Sequence, residues 1–350
     1  MISEAIKKHY TAFWENEAIE RCCLYISALK EDTATYPQAE TLEQTWEDID
    51  LRANQALWHA ENMDYFAEGF PSAFVNFGPG CLTAMIGGSY RLDPYTVWFE
   101  NEKRIADWGN PPAPVLRGDS DMFTLVDALT EKLLRVGGGK FFTSITDIGG
   151  TYDILAALRG TQDLLTDLYE YPVEVLAYVK ALQPVWADYF KQYANLLIKR
   201  QGAMTSWMPI WSDKPYYPLQ CDLSAMISPD MFQEFILPDL QYQTEHMERS
   251  IYHLDGPQEI PHLKHLLSLP RLNAIQWVPG TGNADPENEC WFELYEEIQA
   301  AGKGIVLLDV NIDRLEKLLK HVSPKGLYIH CRAYDADSAQ EIIRMAEHIR

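Results

Sequence analysis

The sequence predicts an α/β protein built as a single (β/α)₈ TIM barrel, with a helical extension over about residues 1–20 and the whole of 1–350 forming one domain. Three observations predict it. Through the last hundred residues, short apolar runs alternate with amphipathic segments roughly every 25 residues, the rhythm of βα units. The 350 residues, 47% hydrophobic and 23% charged, supply material for one large core. No Ser/Gly linker, low-complexity tract or internal repeat divides the chain.

Taken in order, MISEAIKKHYTAFWENEAIE carries charges throughout and reads as the helical extension. CCLYISALK reads as the first strand and SAFVNFGPG, Ser72 to Gly80, as the second. FFTSITDIGG leads through a further strand into a loop and a helix, and a long helix runs from about Pro172 to Arg200. The stretch SWMPIWSDKPYYPLQCDLSAMISP is too rich in aromatics and prolines for an ordinary helix and reads as a long active-site loop. Ser228 then caps a helix with Pro229 in its first turn, bent near Pro238. The runs 250–253, 272–277, 304–309 and 326–330 read as buried parallel strands, each followed by a helical pattern. Asp337 caps the last helix, with Gln340 three residues on as in a capping box.

Net charge narrows the partners. With 29 Lys+Arg against 51 Asp+Glu, a charge of -22, the chain repels phosphate backbones and anionic lipid, so neither nucleic acid nor membrane is expected. The six cysteines are scattered without a CxxC pair and read as reduced thiols. The N-terminus lacks the apolar core of a signal peptide, and no run approaches ~18 apolar residues. A cytoplasmic protein is expected, with a homodimer among the assemblies open to it.

In such barrels the chemistry gathers where strands end. That rule selects His253 and Asp255, Gln276 with Trp277, Asp309 with Asn311, and His330 with Cys331. His253 and Asp255 lie two apart on extended backbone and so point the same way. With Cys331 they could supply three ligands to a metal and leave one position open. They could equally form a metal-free acid–base pair. A third reading is purely structural, with His253 satisfied in the core, Asp255 a cap and Cys331 a small buried hydrophobe. Trp207, Trp211, Tyr216 and Tyr217 could hold a flat ring or a methylammonium cation. Asp147, Asp222 and Ser224 could reach the same mouth as acceptors. Gly137-Gly138-Gly139-Lys140 lacks phosphate-loop spacing and precedes a strand.

Over roughly residues 60 to 348 the chain resembles the uroporphyrinogen decarboxylase superfamily, which includes corrinoid-dependent methyltransferases. Asn76-Phe77-Gly78-Pro79-Gly80, GTYDILAALRG, DLSAMISPDMFQEFILP, His253-Leu254-Asp255-Gly256 and HCRAYDADSAQEII carry the likeness, in that order. The resemblance implies a (β/α)₈ barrel. The decarboxylases open with an arginine-rich segment like RQAGRY, whereas ERCCLYISALK offers Arg21 alone. The methyltransferase branch uses a zinc site of His-x-Cys plus a distant Cys. His253 and Cys331 match it, and Asp255 replaces the middle cysteine. The resemblance therefore implies a metal-dependent methyltransferase of a corrinoid-linked system. Zinc or another divalent metal would sit on His253, Asp255 and Cys331, and methylcobalamin or another corrinoid would be carried by a partner protein. His253, Asp255 and Asp222 would be catalytic, and Trp207, Trp211, Gln276, Trp277 and Asp147 would line the pocket of a small substrate. Two alternatives are a lyase acting on a smaller carboxylated substrate, and a non-catalytic binder of a corrinoid or tetrapyrrole.

Overall fold

The computed structural model describes residues 2–99 and 104–349. Its strands are β1 (Cys23–Leu29), β2 (Met63–Ala67), β3 (Ser72–Ala73), β4 (Arg91–Leu92), β5 (Val97–Trp98), β6 (Phe142–Thr143), β7 (Tyr216–Leu219), β8 (Arg249–Asp255), β9 (Ala274–Val278), β10 (Gly304–Leu307) and β11 (Leu327–Arg332). Seven of them form one sheet in the order β2-β1-β11-β10-β9-β8-β7. Every neighbouring pair is parallel except β1 with β2.

The four late strands fall where the periodicity put them, and a helix follows each: 263–267, 292–300, 315–321 and 336–348. Their side chains are buried on both faces almost throughout, which is why they read as continuous apolar runs. β1 matches the expected first strand, and the long helix runs Pro172–Gln201.

A continuous eight-stranded ladder is not formed among the described residues. The expected second and third strands shrink to two paired residues each, and β3 and β6 pair only with each other. Beyond them the backbone turns through positive φ at Gly78, Gly80 and Gly149, which ends regular pairing. Single hydrogen bonds tie this pair's surroundings to β1 and to the segment before β7. Glu68 N donates to Leu24 O at 2.8 Å, and Ile145 N donates to Thr205 O at 3.0 Å.

The aromatic stretch is not one long loop. Tyr216–Leu219 is buried strand β7, hidden from sequence reading by Pro215 before it and Pro218 within it. Met204 and Ser212 exchange two backbone hydrogen bonds, 2.7 and 3.0 Å, so the segment before β7 folds back on itself. The following helix keeps Ser228 as its cap, and the bend comes slightly before Pro238, as a π-helical turn at Phe232–Ile236. That wider turn absorbs the missing N–H of the proline.

The extension is a helix, Glu4–Trp14, capped by Ser3. It closes the end where the strands begin. Trp14 Nε1 donates to Trp211 O at 3.0 Å, and Phe13 packs on Tyr328 near the start of β11. No described helix is long and apolar enough to cross a membrane.

Candidate functional site

The site lies where the parallel strands end. His253, next to last but one in β8, is half-buried, and its Nδ1 lies 2.6 Å from Gln276 Oε1 on β9. The two residues are register partners, so the contact is built into the sheet. An amide oxygen accepts, so Nδ1 carries the hydrogen and Nε2 keeps the lone pair. The ring of Trp207 stands perpendicular to the imidazole at 5.1 Å.

Carboxylates surround this histidine. Asp147, buried after β6, accepts from Tyr217 Oη at 3.0 Å and from Gly149 N at 2.8 Å. Burial raises its carboxyl pKa, while those hydrogen bonds and the nearby His253 draw it down. Asp222, in the turn after β7, is open to solvent, yet the protein around it raises its pKa. His253 opposes that rise and Asp255 adds to it. Asp255 itself is exposed at the end of β8.

Two further acids have no expected place in the mouth and were missed by sequence reading. Glu259 Oε2 accepts from Asp255 N at 3.1 Å, and burial pushes its pKa up to about 9. Asp153 Oδ1 accepts from Leu223 N at 3.1 Å, while its Oδ2 is buried without a partner. Its carboxyl is pushed well above the usual range by burial and by the charge of Asp222. Asp153 stood in plain view in the GTYDILAALRG segment, in the first turn of a helix following a strand end. Glu259 carries no spacing signal at all.

Cys331 does not join His253. Across the sheet His253 pairs with Gln276, Gln276 with Val306, and Val306 with Tyr328. Tyr328, His330 and Arg332 thus share the face of His253, and Cys331 lies on the opposite one. It is fully buried there, and burial pushes its thiol pKa up to about 12. Among the described residues no three His, Cys, Asp or Glu side chains come together to hold a metal ion. The expected triple does not fit zinc.

Two other expectations fail for related reasons. Trp277, one residue past Gln276, faces the other way and packs on Trp291 at 4.9 Å. Trp211 is buried against the N-terminal helix, 6.3 Å from Tyr10, at the far end of the strands. Arg21 is buried near the start of β1 in a paired contact with Glu68, at 2.6 and 2.9 Å. His330 lies 3.4 Å from Asp309, whose carboxyl it holds below the ordinary value. Asn311 caps the turn that follows. Ser224 is buried, its backbone oxygen facing His262 Nε2 at 2.9 Å.

No protein-family model and no curated protein matches this chain. Among solved structures, a methyltransferase from Methanosarcina mazei superposes with a TM-score of 0.61 over 99% of both chains, at 10% identity. At that identity the likeness shows a shared fold.

Proposed function

We propose that the chain is a cytoplasmic methyltransferase of the uroporphyrinogen decarboxylase superfamily. It moves a methyl group between a small substrate and a corrinoid carried by a partner protein, and its β3–β6 pair completes a (β/α)₈ barrel. The observation that carries this reading is His253, fixed by Gln276 in a mouth lined with carboxylates. Support comes from the end-to-end likeness to a methyltransferase fold.

The chemistry follows from the free Nε2. It takes a proton from the heteroatom that gains a methyl group, or returns one to the heteroatom that loses it. Asp147 and Asp222 favour the imidazolium that forms. Gln276 holds the ring's orientation and tautomer and is a positioning residue. When bound, the corrinoid supplies a cobalt that accepts or donates the methyl group. The residues assigned here act on the small substrate, and no step uses a protein-bound metal. Decarboxylation fits less well, because Asp147, Asp222 and Asp255 would repel a carboxylated substrate from His253.

The test is to mix the protein with reduced free corrinoid and a panel of methylated amines, thiols and alcohols, following the corrinoid's visible spectrum. Catalysed methylation that falls at least ~100-fold in His253→Ala is expected. No transfer from any donor class would overturn the proposal.

A further inference from the structure

The apolar face of the N-terminal helix extends further than the core that it covers. Ile2 just before the helix, and Ile6, Tyr10 and Phe13 along it, recur at helical spacing. Tyr10 and Phe13 are buried in the base of the sheet, whereas Ile2 and Ile6 stay half-buried. Beneath that outer half a cavity of about 610 Å³ opens, at the end of the molecule where the strands begin. It lies between this helix, the approaches to β3 and β6, and the end of the helix Asp121–Val136. Ile2, Ile6, Phe70, Leu134, Phe141 and Phe142 supply its apolar walls, and none of the residues placed around His253 lines it. Close-packed interiors leave few voids larger than a water molecule, and this one lies in the size range of ligand pockets, about 300–1,000 Å³.

The Gly137-Gly138-Gly139-Lys140 run, which lacks phosphate-loop spacing, shapes one side of the opening. Gly137 ends the helix Asp121–Val136, and a Cβ there would stand 2.5 Å from Phe141 Cε2, so glycine lets Phe141 fold back onto the wall. Gly139 is at positive φ, where a glycine is at no cost, and its missing side chain leaves the rim open.

Among the described lining residues the charged ones are Lys140 and Arg200, two cations in a chain of net charge -22. Each has an acidic neighbour that does not line the cavity. Lys140 Nζ donates to Glu61 Oε1 at 2.8 Å, and Arg200 Nη1 donates to Glu131 Oε2 at 3.1 Å. Both pairs are on the surface, where water makes such contacts weak. An ammonium has three donors and a guanidinium five, so each cation can keep its glutamate and still meet a second anion. Apolar walls with cations at the rim suit a molecule with an apolar body and one negative head group. A carboxylate matches the guanidinium fork, and it leaves less charge to desolvate than a phosphate would.

We propose that this cavity binds a small apolar carboxylate, with its body against the phenylalanines and its head group at the rim with Lys140 and Arg200. Barrel chemistry gathers at the opposite end of the strands, so this is an accessory site, independent of the methyltransferase reading.

The probes are decanoate and naphthoate, one chain and one ring, titrated calorimetrically into the full chain below the concentrations at which they self-associate. Decanol and decyltrimethylammonium are the neutral and cationic controls. Saturable binding of one carboxylate per chain is expected, with the tighter of the two giving the shape of the apolar body. Binding should weaken at least tenfold in the double variant Lys140→Ala/Arg200→Ala, and at least tenfold in Ile6→Asp, which sets a like charge in the apolar wall. Lys140 and Arg200 are exposed, and an acidic residue is favoured in the first turn of a helix, so these changes should leave the chain folded. Urea unfolding without ligand checks that. Absence of saturable binding by either carboxylate, equally tight binding of decanol, or undiminished binding in either variant would overturn the inference.

Discussion

Glu259 shows how much the environment of a single residue decides. It is 1% exposed, and its Oε2 receives the amide of Asp255. Its carboxyl is pushed from 4.5 up to about 9 by burial, so the folded state holds a proton that the unfolded chain releases. The stability this group contributes is fully present below about pH 4.5 and is lost as pH rises through about 9. The loss proceeds at no more than about 1.4 kcal/mol per pH unit. Glu259→Gln keeps the acceptor and cannot ionise. Urea unfolding should therefore show the wild type losing stability between pH 5 and 9 faster than the variant, which becomes the more stable of the two at pH 9. Parallel pH dependences would contradict this. At this scale the strand-end rule made His253, Gln276, Asp147 and Asp222 legible in the sequence. Cys331 was misread because its face depends on parity counted through three strand pairings, which no single stretch of sequence records. Trp277 failed by the same one-residue step.

Among elements, the late strands and helices were legible because their burial pattern repeats locally. Boundaries were less so. The sequence DADSAQ offers two caps spaced for a capping box, and the chain uses the earlier one. Asp335, in extended backbone, accepts from Ser338 N at 2.8 Å, and its own N–H donates to Ser338 Oγ at 2.9 Å. Asp335→Ala should therefore cost about 1 kcal/mol in chemical denaturation, and Asp337→Ala much less. The reverse order would restore the cap read from sequence. β2 and β7 escaped sequence reading for different reasons. β2 is a partly exposed antiparallel edge with no clean alternation, and β7 is four buried residues that follow Pro215 and include Pro218. The π-helical turn before Pro238 was legible only as a bend, since the sequence marks the missing donor and not how the backbone accommodates it.

For the whole molecule, the fold class followed from rhythm and composition, and the mostly parallel seven-stranded sheet agrees with it. What the sequence did not supply was the path of residues 74–80 and 145–150, where glycines at positive φ interrupt the strands. The net charge of -22 takes on local meaning near His253, with which both Asp147 and Asp222 interact. The central claim is that the site works through His253 and not through a three-ligand metal centre. The most direct measurement compares methyl-transfer rates and metal content of the wild type, His253→Ala and Cys331→Ala. The account predicts that His253→Ala loses at least ~100-fold in rate, that Cys331→Ala stays within about twofold, and that metal content is the same in all three. Equal loss of rate in both variants, together with loss of one bound metal per chain, would contradict it.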